Sequence, residues 1–152
     1  MEKKTFELSI KVLKRLHKAG ILKSVVLVGS WCVYFYQYYF NSSDYVSTIR
    51  TLDMDLLIPL PQKFDCKVKF FDLIEDLGYV KQLRYSDGYI KFVHPDLTIE
   101  FLIPERGKGS NKPYKISELG INAQPLRYLD FLTAHTISLT VEDVRLVLPH
   151  PA

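Results

Sequence analysis

The sequence predicts an α+β (α/β) chain with a mixed, mostly antiparallel sheet and helices packed chiefly on one face. Three observations point there. Apolar residues recur at helical spacing in three stretches, β-branched or alternating runs of strand length fill much of the remainder, and glycine- or proline-bearing turns separate many of these stretches. The 152 residues, 47% of them hydrophobic, suffice for a single core, and a charged fraction of 24% argues against a disordered or fibrous chain.

Residues 5–19 form the first expected helix, because Phe6, Ile10, Leu13 and Leu16 or His17 recur at three and four and Gly20 follows as a C-terminal cap. Lys11, Lys14, Arg15 and Lys18 occupy its other face, which reads as solvated. Residues 24–28 are a short buried strand that stops at Gly29-Ser30, with Ser30 as N-cap of a helix over 31–40. That helix holds Trp31, Tyr34, Phe35, Tyr36, Tyr38, Tyr39 and Phe40; nucleobases could stack on such rings, but a core stripe with tyrosine hydroxyls near water is the simpler expectation. A polar loop over 41–47 follows.

Residues 51–58 alternate with period two and are bounded by Pro59 and Pro61, so a strand is expected. Phe64, Val68, Phe71, Ile74 and Leu77 predict a third helix closed by Gly78. Residues 79–83, 89–93 and 97–103 then read as a three-stranded antiparallel meander whose turns are Ser86-Asp87-Gly88 and His94-Pro95-Asp96. The glycine- and lysine-rich residues 105–112 are expected to be an exposed, mobile loop. Residues 126–132, 136–141 and 144–148 are expected as further strands, the last two joined tightly at Glu142-Asp143.

The formal net charge of +3 suits an anionic ligand but is well below that of a dedicated nucleic-acid binder. Cys32 and Cys66 lie in apolar segments without a second Cys or His at metal-ligand spacing, so both are expected as reduced, buried thiols. No signal-peptide pattern opens the chain and no apolar run reaches the roughly 20 residues of a membrane span, so the expected location is cytoplasmic and no membrane partner is expected.

Chemistry is concentrated in the acids. Strand alternation places Thr51, Asp53, Asp55 and Leu57 on one face of residues 51–58, and Leu52, Met54, Leu56 and Ile58 on the other. Two carboxylates side by side on a rigid strand repel one another unless a hard cation such as Mg²⁺ bridges them. In residues 97–103 the apolar Leu97, Ile99, Phe101 and Ile103 share a face, and Glu100 looks the other way. On a strand next to Asp53 and Asp55 it would add a third carboxylate to the site. A solvated sheet face or pairing with a lysine would accommodate Glu100 equally well. Gly29-Ser30 supplies a strand-to-helix turn where a phosphate can approach the backbone and the free N–H groups of the helix N-terminus favour an anion. Arg50 could clamp a phosphate, or could simply be a solvated strand end.

The order Val28-Gly29-Ser30-Trp31-Cys32-Val33, then Arg50-Thr51-Leu52-Asp53-Met54-Asp55-Leu56-Leu57, then a strand-borne acid resembles the nucleotidyltransferase superfamily of polymerase-beta-like folds, in particular its abortive-infection-type, toxin–antitoxin-like branch. The resemblance covers roughly residues 20 to 150 and implies one nucleotidyltransferase-type domain over 1–152, lacking the helical C-terminal region of relatives. It implies that Gly29 and Ser30, with Arg50, hold the nucleoside triphosphate (NTP) and that Asp53 and Asp55 bind Mg²⁺ (or Mn²⁺). Glu100 would complete the metal site or activate the acceptor. The implied reaction is attack of an acceptor hydroxyl, on RNA, a protein or a small molecule, on the α-phosphorus with release of pyrophosphate. A non-catalytic relative serving as an antitoxin-like regulatory module is the alternative expectation.

Overall fold

The structure is a computed structural model that describes residues 3–40, 52–59, 64, 67–105 and 112–151. Arg50, Thr51, Cys66, the polar loop over 41–47 and residues 106–111 of the expected mobile loop lie outside the described residues.

Helix α1 (Lys3–Lys18) buries Leu8, Val12, Leu13 and Leu16 and ends at Gly20, whose φ of +78° only glycine adopts without strain. The Gly20 N–H donates to the His17 carbonyl and the Ile21 N–H to the Leu16 carbonyl, the paired bonds of a Schellman cap. Strand β1 (Val26–Val28) is wholly buried and leads through Gly29 into α2 (Ser30–Phe40). The first helical bond runs from the Val33 N–H to the Gly29 carbonyl, so the helix starts one residue earlier than expected, with Gly29 in the capping position. Trp31 and Phe35 are fully buried, while Tyr38 and Tyr39 are 43% exposed and the Tyr36 hydroxyl donates to the Pro149 carbonyl at 2.6 Å. The aromatic helix is therefore a core stripe with a partly wet flank.

Strand β2 (Asp53–Leu57) is followed by a helix shorter than expected. Helix α3 covers only Phe70–Ile74 and is extended by a single 3-10 turn, Glu75–Leu77, before Gly78. Phe64 and Phe70 both enter the core. Lys69 is extended, at φ −70° and ψ 121°, so the helix begins only at Phe70. The expected meander is present as β3 (Val80–Leu83), β4 (Ile90–Val93) and β5 (Thr98–Pro104), paired antiparallel in that order.

The next stretch departs from expectation. Strands β6 (Tyr114–Ile116) and β7 (Ile121–Leu126) were not foreseen, and the strand expected over 126–132 is instead the end of β7, a turn with Tyr128 at φ +67°, and helix α4 (Asp130–Ala134). Left-handed Tyr128 cannot continue a strand, and helical spacing lets Leu129 and Leu132 cover one apolar patch together. The hairpin β8 (Thr136–Val141) and β9 (Val144–Pro149) turns at Glu142 and Asp143, both at positive φ as a two-residue type I′ loop requires.

Strands β1, β2, β5, β4 and β3 lie side by side in that order, with β2 parallel to β5 and β1 antiparallel to β2. Strand β7 continues the other edge of β5 in parallel and carries β6 antiparallel. The sheet is thus mixed and mostly antiparallel. Met54, Leu56, Ile99, Phe101 and Phe92 face the main core, which α1, α2 and α3 fill. On the opposite face Val26, Val28, Leu57 and Leu102 form a smaller patch under Leu129, Leu132 and Val147. That second face also carries the acids. Among the described residues no helix is long and apolar enough to cross a membrane.

Candidate active site

Three elements converge where β1 gives way to α2. Strand β1 places Val28 opposite Asp55 of β2, and β2 pairs in register with β5, setting Asp53 against Thr98 and Asp55 against Glu100. Residues facing one another across paired strands share a sheet face, so Asp53, Asp55, Thr98 and Glu100 all project from the face opposite the main core. Asp53 is exposed, whereas Asp55 and Glu100 are partly buried.

Gly29 presses against this group. Its φ is +75°, and a Cβ there would stand 2.9 Å from the Asp55 Oδ2. Side-chain absence is thus required twice, by the backbone and by the carboxylate. Ser30, the first residue of α2, follows directly. Arg50 falls outside the described residues.

The electrostatics single out Asp55. Burial, then the Glu100 carboxylate, then Asp53 push its pKa up to about 7, and Lys91 opposes them. The Lys91 Nζ lies 3.4 Å from the Glu100 Oε1. One step along the register Phe92↔Ile99 puts Lys91 opposite Glu100, so this is a cross-strand ion pair. Arg84 stands on the same side, but its guanidinium is held by both oxygens of Asp87 and by the Gln124 Oε1, over the Tyr89 ring. Among the described residues no three His, Cys, Asp or Glu side chains stand together as a ready metal-holding set.

Sequence reasoning did not single out Lys91, Arg84 or Gln124. For Lys91 a signal existed: it is the charged residue between Ile90 and Phe92 in an otherwise apolar strand, with the same parity as Glu100 has between Ile99 and Phe101. Gln124 belongs to the unforeseen β7, and only that strand brings it to Arg84.

A carboxylate whose pKa is raised on folding destabilises the fold at high pH. Between the ordinary value of 3.8 and about 7 the folded chain holds a proton that the unfolded chain releases, so stability falls as pH rises through that window. Asp55→Asn removes the effect at nearly constant shape. In EDTA at pH 8 the variant should be more stable than the parent by about 1 to 2 kcal/mol, after allowance for solvent screening, and at pH 4 the two should be level. Thermal melts at both pH values check this; a variant less stable at pH 8 would show that the Asp55 carboxylate supports the fold.

A glycine-bounded strand-to-helix turn thus stands beside an acid-bearing strand pair, and comparison with known proteins gives the family. Residues 7–152 match the family model described as Nucleotidyltransferase. The chain belongs to this nucleotidyltransferase family and is accordingly a transferase of nucleotidyl groups. No curated protein matches it. The crystal structure of ANT(2″)-Ia in complex with adenylyl-2″-tobramycin is similar over 78% of this chain and 69% of that chain, with 12% sequence identity and a TM-score of 0.41. At that level of similarity neither acceptor nor mechanism carries over.

Proposed function

We propose that this nucleotidyltransferase moves a nucleoside monophosphate (NMP) from an NTP to an acceptor hydroxyl, releasing pyrophosphate, with Asp53, Asp55 and Glu100 as its working acids. The observation that supports this most is Asp55, its pKa raised by burial and then by its carboxylate neighbours, and pressed against a glycine at the mouth of a helix. Such a group is electrostatically unsatisfied, and the donor set around it, all carboxylate oxygen, fits a hard divalent cation. Asp53 and Asp55 would hold Mg²⁺ or Mn²⁺, and Glu100 would either add a ligand or receive the proton of the acceptor hydroxyl. The cation, when bound, neutralises charge on the phosphates.

The chain's own residues supply the rest. The Gly29-Ser30 turn and the N-terminus of α2 present backbone N–H groups to the triphosphate, and Arg50, which precedes Asp53 in the sequence, would add a cation. The acceptor oxygen bonds to the α-phosphorus as the bond from that phosphorus to the β-phosphate oxygen breaks, and pyrophosphate leaves with the electron pair. Residues 1–152 act as one domain in this reading, which takes the likeness of the Arg50-Thr51-Leu52-Asp53-Met54-Asp55 block to the abortive-infection-type branch as its support for that branch. The acceptor is a hydroxyl of RNA, protein or a small molecule.

The test incubates the protein with each α-labelled NTP and Mn²⁺, alone and with total RNA, a protein extract or aminoglycosides. Label transferred by the parent and absent with EDTA supports the reading. No transfer to any acceptor, together with no binding of Mn²⁺ or NTP, points to a chain that keeps the fold without the reaction.

A further inference from the structure

The acids of the site are not equivalent, because one of them already has a cation. Lys91 reaches Glu100 at 3.4 Å, with the lysine side chain 36% exposed and the glutamate 17%. Asp53 and Asp55 have no ion pair among the described residues, and the field of Lys91 extends to Asp55, where it partly offsets the two neighbouring carboxylates. Arg84 cannot take this part, since Asp87 and Gln124 occupy it.

We propose that Lys91 is a built-in countercation that withholds Glu100 from the metal, leaving Asp53 and Asp55 as the metal-binding pair and limiting how tightly the site holds a divalent ion before nucleotide arrives. The inference rests on the proposed function, since it concerns the same acids. Its physical basis is charge arithmetic: with all three carboxylates ionised, as at pH 8, they and one ammonium carry a net charge of about −2, matched by one divalent cation, whereas without Lys91 the charge is about −3 and favours tighter capture. The ion pair is only partly buried, so it is weak enough to be exchanged and strong enough to compete. Lys91 is a positioning residue here, acting through Glu100.

Isothermal titration with Mn²⁺ alone, without nucleotide, tests the proposal on the whole chain as parent, Lys91→Met, Lys91→Gln and Lys91→Arg. Lys91→Met and Lys91→Gln should bind Mn²⁺ about tenfold more tightly than the parent, while Lys91→Arg should stay near the parent value. Both neutral variants should keep the parent's melting temperature in EDTA within a few degrees, because the lysine is a third exposed and the pair contributes little to stability. If the parent binds Mn²⁺ and the neutral variants bind it equally or more weakly, Lys91 does not compete for Glu100 and the proposal is overturned while the metal reading stands. If neither the parent nor the neutral variants bind Mn²⁺, alone or together with NTP, the proposed function falls and this inference with it.

Discussion

Asp53→Asn and Asp55→Asn are each expected to lower NMP transfer by about 10³-fold or more, with little change in NTP binding measured in EDTA. Each removes a charged oxygen at nearly constant volume, and loss of a metal ligand that stabilises transition-state charge costs several kcal/mol, with about 1.36 kcal/mol per factor of ten. The usual objection, that the variant has unfolded, is answered in advance for Asp55. Relief of a buried charge, and then of carboxylate repulsion, should make metal-free Asp55→Asn more stable than the parent at pH 8, so an inactive and more stable protein is the expected combination. Single-turnover assays with labelled NTP, run beside the melts, provide both readings. Activity within tenfold of the parent in either variant would mean that the acid is dispensable and that the chemistry lies elsewhere.

Gly29→Ala should be the most destabilising single change at the site, at about 2 to 3 kcal/mol, with transfer activity lost alongside. A left-handed backbone at a residue with a Cβ costs about 1 to 2 kcal/mol. The new methyl would also stand 2.9 Å from the Asp55 Oδ2, so the carboxylate must swing away from the position its role requires. Gly20→Ala is the matched control, since Gly20 has φ +78° and nothing within 4 Å of its would-be Cβ, and it should show the backbone cost alone. Chemical denaturation of the two variants reads the difference directly. Equal destabilisation would mean that Asp55 moves aside freely and that the close approach of Gly29 is incidental.

Local signals were legible in the sequence where local physics decides them. Gly20 after an amphipathic run, the glycine turn after residues 24–28, the meander through β5, and Glu142-Asp143 between two alternating runs are each settled by residues a few positions apart. The shared face of Asp53 and Asp55 is likewise a matter of parity within one strand. What could not be read depends on partners distant in the chain. Strand β7 exists because β5 offers it a parallel edge, and nothing in Ile121–Leu126 alone announces that edge. Phe64 and Val68 fit a helical stripe extending to Leu77, yet Lys69 is extended and the helix starts only at Phe70, a tertiary outcome that local spacing does not carry. Glu100 stood between two readings, a third metal ligand or a lysine partner. Its pairing with Lys91 is a fact of cross-strand register, which no residue near Glu100 in the chain announces.

The parallel pairing of β2 with β5 also governs when the site comes into being. Parallel neighbours cannot be joined by a tight turn, so the whole passage through α3, β3 and β4 must be laid across the sheet before Asp55 meets Glu100. Closing so long a loop delays the rewarding contact until most of the chain is organised. A chain emerging during synthesis therefore carries these carboxylates scattered and separately hydrated, with no preformed trap for a divalent ion. Their mutual repulsion is felt only once β2 and β5 pair, and a cation bound to the paired acids would act as a latch that slows reopening more than it speeds closure.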